Sequence, residues 1–207
     1  MKRKPSGFTL IELLVTVAII GVLVGLIFML APGMILKGRQ ASSLSNQRQI
    51  GIAFQSFANE NDFRLPGRVE SGDKWPKLLH FYLEDVKVYA DPADETSFVR
   101  TGRDPLDNGR NNTSYFMNGF NDVGAFEDPG LQVRLNQIEQ PSRTILLAPN
   151  SGSRHYYMDF AEGNNEKILN KTLYGKGSTY LFADGSARFI EASDYSDDLW
   201  LVYKEER

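Results

Sequence analysis

Apolar residues fill positions 8–36 almost without interruption, thin to a single stripe over 44–57, and then recur only as short runs separated by polar loops. In the first block Glu12 is the one acid, and 13–36 holds no charged residue. At a helical rise of about 1.5 Å per residue, those two dozen positions reach roughly 36 Å, against a hydrocarbon core of about 30 Å. The pattern predicts a transmembrane helix entered amino end first. Glu12 stands out within it, because a carboxylate deep in such a helix costs about 2.5–3.5 kcal/mol, which makes it a functional candidate.

Helical character continues past the apolar block. Ile50, Ala53, Phe54 and Phe57 recur at i, i+3, i+4, i+7, with Leu44 on the same stripe and Gln40, Ser43, Gln47, Gln49 and Gln55 as polar positions. One helix is expected from about residue 8 to 59, roughly 78 Å long. Pro32-Gly33 offers a kink. The first half faces lipid and the second is a spine for a globular head. Asn59 to Asp62 and Leu65-Pro66-Gly67 end it.

In the head, Trp75-Pro76 opens a short helix carrying Leu78, Leu79, Tyr82 and Leu83. Residues 86–89 read as a short strand closed by Asp91-Pro92, and 141–148 as a buried strand. Residues 180–189 read as a hairpin turning on Asp184-Gly185, a pair suited to a two-residue type I′ turn. The Asp-, Asn- and Gly-rich stretches 101–127 and 159–166 read as surface loops.

Ahead of the apolar run stand Lys2, Arg3 and Lys4, then Ser6-Gly7. A cleavable secretory signal fits poorly, since its small-residue site follows the apolar region, whereas Gly7 precedes it. The stretch Lys4-Pro5-Ser6-Gly7-Phe8-Thr9-Leu10-Ile11-Glu12 resembles the prepilin leader of type IV pilins and of type II secretion pseudopilins. The resemblance implies cutting by a membrane peptidase between Gly7 and Phe8, N-methylation of Phe8, and an assembly role for Glu12. It also implies an α+β, pilin-like fold: a long amino-terminal helix, transmembrane then amphipathic, packed on a small antiparallel sheet.

A narrower likeness appears in Asn46-Gln47-Arg48-Gln49-Ile50-Gly51-Ile52-Ala53-Phe54 and in Phe63-Arg64-Leu65-Pro66. These segments resemble a large pseudopilin-like family of planctomycetes and verrucomicrobia, known for a histidine separated by nine residues from an Asp-Gly pair. Here Tyr174 stands at that position, and Ala90 stands where many relatives carry a cysteine.

The chain has 207 residues, 23 basic against 26 acidic, two histidines and no cysteine. Loss of residues 1–7 would make it more acidic still, so nucleic acid is not an expected partner. The absence of cysteine removes disulfides and thiol chemistry. The basic cluster at the amino end favours that end inside.

His80 and His155 each precede aromatics and read as structural; two histidines without cysteine make no zinc site. Neither a phosphate loop nor a nucleophile–base pair is evident, and an enzyme is not expected. The turn Asp104-Pro105-Leu106-Asp107-Asn108-Gly109 reads as a solvated acidic turn, with structural calcium as its alternative. The aromatics read as core, with a carbohydrate surface as their alternative.

The expected organisation is a leader at 1–7, a transmembrane and assembly helix at 8–36, a spine at 37–66 and a head at 67–207. The expected function is that of a pseudopilin or pilin-like subunit, anchored in the cytoplasmic membrane with its head periplasmic, then polymerised. Expected partners are a prepilin peptidase, other pilin subunits, an inner-membrane assembly platform and the membrane itself. The alternative is an anchored periplasmic binding module that never polymerises.

Overall fold

The computed structural model describes residues 8–68, 72–125, 131–158 and 168–203, excluding the side chains of 28–31 and 121. The chain divides into two compact units, Met1–Gly38 and Arg39–Arg207. A single helix, α1 (Leu10–Glu60), contributes to both and stays helical through Pro32.

In the first unit, every side chain described between 8 and 27 is exposed. Leu10–Ile27 is long and apolar enough to cross a membrane. An exposed apolar surface of this extent marks a segment suited to lipid or to other apolar helices.

The second unit is a five-stranded sheet with a core on each face. Its strands are β1 (Tyr115–Asn118), β2 (Ile145–Pro149), β3 (Tyr157–Met158), β4 (Gly177–Phe182) and β5 (Ala187–Glu191), in the order β3-β1-β2-β4-β5. The expected antiparallel pairing holds for β1–β2, β2–β4 and β4–β5, while β3 runs parallel to β1. The sheet is therefore mixed. After β2 the chain reverses once, which restores the direction of β1. The far edge of β2 is taken by β4, so the returning strand can only join the free edge of β1.

On one face, Ile50, Phe54 and Phe57 of α1 pack with Tyr115, Met117, Leu147 and Leu181, and with Trp75 and Leu79 of α2 (Trp75–Leu79). On the other, Phe116, Ile145, Ala148, Tyr180 and Phe182 pack with Trp200. The carboxyl-terminal segment is held there by Asn118 Nδ2 on the Trp200 carbonyl (2.9 Å), Thr144 Oγ1 on that of Leu201 (2.9 Å) and Val202 N on Asp122 Oδ2 (2.6 Å).

Three local expectations are corrected. The stretch 101–127, read as a surface loop, contains the buried strand β1, while 159–166 lies outside the described residues. Val86–Tyr89 is a 3-10 turn, not a strand. The Asp85 carboxylate accepts from Lys87 N at 2.8 Å and caps it, and Ala90 N closes the turn on the Lys87 carbonyl at 2.9 Å. In the β4–β5 hairpin only Gly185 has positive φ, 81°, and Asp184 does not. Gly185 N donates to the Phe182 carbonyl and Phe182 N to that of Ser186, each at 2.9 Å. This is a type I turn closed by a glycine bulge rather than type I′. The Asp184 carboxylate supports it by accepting from Ser186 N at 2.9 Å and Ser186 Oγ at 2.6 Å.

Candidate functional site

At the amino end of α1, Thr9 and Glu12 bond each other reciprocally. Thr9 N and Thr9 Oγ1 donate to Glu12 Oε2 at 2.9 and 2.8 Å, and Glu12 N donates to Thr9 Oγ1 at 3.3 Å. With Leu10 the first helical residue, Thr9 is the cap and Glu12 the third position, which makes a capping box. Two of the helix's orphan amides are satisfied, and the carboxylate is held by two bonds from a single residue of its own chain, Thr9. The Thr-x-x-Glu spacing signals this in the sequence, and reading Glu12 only as a charge in an apolar run misses it. Phe8 is 77% exposed beside the cap. Gly7 and the leader lie outside the described residues.

The head holds a buried polar knot around Asp91, which is 1% exposed. Its Oδ2 accepts from Ser43 Oγ at 2.6 Å and Tyr115 OH at 3.5 Å; its Oδ1 accepts from Tyr174 OH and from Ala93 N at 2.8 Å. Ser43 Oγ also meets Thr179 Oγ1 at 2.8 Å, and Gln47 Nε2 donates to Thr179 O at 3.1 Å and Oγ1 at 3.0 Å. The knot ties α1, β1, β4 and the 90–93 loop together. Burial pushes the Asp91 carboxyl pKa up, against the lowering effect of its bonds from Ser43, Tyr174 and Ala93. Burial and then the Asp91 charge raise the Tyr174 phenol far above its usual range.

Ser43 and Gln47 are fully buried, although hydropathy alone reads them as ordinary polar positions of the spine. Their spacing to Ile50 and Phe54 extends the buried stripe backwards in steps of three and four residues, and that was the available signal. Ala90 and Tyr174, where the chain departs from the narrower family pattern, are brought together through Asp91.

The Asp104 and Asp107 carboxylates turn inward, accepting from Leu106 N at 2.9 Å and Gly109 N at 2.8 Å. His80 is half-buried, its ring 6.0 Å from that of Phe81, and His155 is exposed. Among the described residues no group of three or more His, Asp or Glu side chains gathers in metal-binding geometry.

Residues 2–28 match the family described as the prokaryotic N-terminal methylation motif. The match covers the leader and much of the apolar run, including Gly7, Phe8 and Glu12, and it does not extend into the head. The amino-terminal segment is thus of the prepilin type, with an apolar helix suited to membrane anchoring. No curated protein and no solved structure matches the chain.

Proposed function

We propose that this protein is a pilin-like structural subunit rather than an enzyme. A prepilin peptidase removes residues 1–7 and methylates Phe8, and the mature chain polymerises into a type II secretion pseudopilus or a type IV pilus-like fibre. The observation that supports this most directly is the methylation-motif match at residues 2–28, joined to an apolar helix with one acid, Glu12, in its first turn. In lipid the helix is stored as a membrane anchor with its amino end cytoplasmic and its head periplasmic. In the fibre its apolar faces are covered by neighbouring helices, and Glu12 pairs with the Phe8 amine of an adjacent subunit, which offsets the cost of burying either charge. The narrower likeness to the planctomycete and verrucomicrobial pseudopilin-like proteins belongs to the same proposal.

The test is co-expression with a prepilin peptidase and an assembly platform, followed by mass spectrometry and cross-linking of membranes. The expected product begins at N-methylated Phe8 and gives a ladder of cross-linked multimers. An intact Met1 beside an active peptidase would remove the processing step from the proposal. A processed chain that stays monomeric would favour the anchored module.

A further inference from the structure

Residues 103–110, which follow α3 (Phe98–Thr101), lie against the 154–156 segment. Asn111 N donates to the Arg154 carbonyl at 3.0 Å and Asn111 Nδ2 to that of His155 at 2.7 Å. Asn112 Nδ2 donates to the Asp104 carbonyl at 2.8 Å, which draws residue 103 to the same place. The Arg110 backbone N–H meets the Tyr156 hydroxyl, which itself donates to the Asp107 carbonyl. Separate stretches of chain thereby deliver Arg103, Arg110 and Arg154 to one patch of the head.

Arg103 and Arg154 are exposed, and Arg110 is half-buried with its Nε shielded and without a hydrogen-bond partner. Burial first, and then the like charges of Arg103 and Arg154, push the Arg110 guanidinium pKa down; Asp107 opposes them only weakly. The Asp104 and Asp107 carboxylates accept from amides of their own turn. Among the described residues none of the three guanidinium groups makes a salt bridge. The chain as a whole is acidic, so a uniformly cationic surface does not account for the patch. Three like charges held together repel one another more than the Asp107 carboxylate beside Arg110 offsets, and a multiply charged anion relieves that repulsion. The planar guanidinium fork matches the oxygens of a tetrahedral oxyanion.

We propose that Arg103, Arg110 and Arg154 form a binding site for a tetrahedral oxyanion of the phosphate or sulfate type, either a free multiply charged ion or a group displayed on a polyanionic larger molecule. The site lies wholly in the head and stands independently of whether the chain polymerises.

The experiment uses the full chain in non-ionic detergent at constant ionic strength. Inorganic phosphate is titrated calorimetrically in one arm and dextran sulfate in the other. The variants are the Arg103→Gln/Arg154→Gln double, the single Arg154→Gln, and Arg48→Gln as an exposed control on the spine. Melting in chloride buffer verifies that each is folded. Saturable binding is expected, weakened tenfold or more in the double variant, intermediate in the single and unchanged in Arg48→Gln. Binding of phosphate identifies a free ion as a sufficient ligand; binding of dextran sulfate alone identifies a polymer-borne group. No saturable binding of either probe, or equal affinity in wild type and double variant, overturns the proposal.

Discussion

A Cβ on Gly51 would lie 3.2 Å from the carbonyl oxygen of Gly185 and 2.9 Å from Leu181 Cδ1. The spine helix and the hairpin turn therefore meet at backbone distance, and one turn further along Gln55 Nε2 reaches the Asp184 carbonyl at 3.4 Å. Gly51→Ala gains about 0.8–1 kcal/mol of helix propensity but overpacks this contact at a cost of about 1–3 kcal/mol. The expected result is a net loss of about 1 kcal/mol. Gly38→Ala, with nothing within 4 Å of its Cβ, should gain stability from the same propensity term. Thermal melts of the two variants in detergent should shift in opposite directions. A shift of the same sign in both would mean that the helix and turn are not in backbone contact.

Gly185 carries a second constraint. Its φ of 81° suits glycine and, less well, asparagine, whereas a β-branched residue there is strained by about 1–3 kcal/mol. Gly185→Val should lower the melting temperature clearly and Gly185→Asn only slightly. The Cβ would meet Gln55 Nε2 at 2.5 Å, the end of a flexible side chain, so crowding is relieved by a rotamer change and backbone strain sets the ranking. Equal melting of wild type and Gly185→Val would contradict the glycine-bulge turn.

Asp91 should give the head an inverted response to acid. Its carboxyl pKa in the fold is raised above the ordinary 3.8 by burial, so the native state takes up this proton at a higher pH than the unfolded chain does. The stabilisation from protonation is complete below 3.8 and is lost as pH rises through the raised native value. Denaturant unfolding of wild type and Asp91→Asn should show the wild type gaining on the variant as pH falls from about neutral to about 4. A difference that is flat across that range would mean the carboxyl is not perturbed. Asp91→Ala removes the principal acceptor of the Ser43 and Tyr174 hydroxyls and should cost about 1–3 kcal/mol.

What could be read in advance divides along the range of the interactions. The stripe Ile50, Ala53, Phe54, Phe57 follows from a period of 3.6 residues, and β2 follows from a continuous apolar run; both are local. The hairpin was visible in Asp184-Gly185, but its turn type depends on the register of β4 against β5, which the dipeptide does not carry. Val86 and Val88 suggest strand alternation, and a single side chain, Asp85, converts the segment to a 3-10 turn. Ser43 is buried because Asp91 and Thr179, 48 and 136 residues away, supply its partners. The arginine patch was invisible for the same reason, since its members become neighbours only after the loops fold. The Thr9–Glu12 box, by contrast, was local and legible.

That box separates two roles for Glu12. Glu12→Gln keeps a side-chain oxygen for the Thr9 N–H, so the cap survives, but it removes the charge. Glu12→Val removes both. Thr9→Val keeps the charge and loses the hydroxyl, at about 1 kcal/mol of capping. If Glu12 serves assembly by pairing with the Phe8 amine of a neighbour, either Glu12 variant leaves that amine unpaired in an apolar bundle. Breaking a buried pair costs about 3–5 kcal/mol per subunit, enough to abolish or sharply reduce polymer growth. Both variants should still insert and be cleaved, because removing the charge makes the helix a better lipid solute. Thr9→Val should retain polymer, because the carboxylate is still present. The measurement is cross-linking or shearing of cells carrying each variant, followed by blotting for multimers. Wild-type polymer from Glu12→Gln but not Glu12→Val would assign Glu12 to helix capping alone, and equal polymer from all three would remove it from assembly altogether.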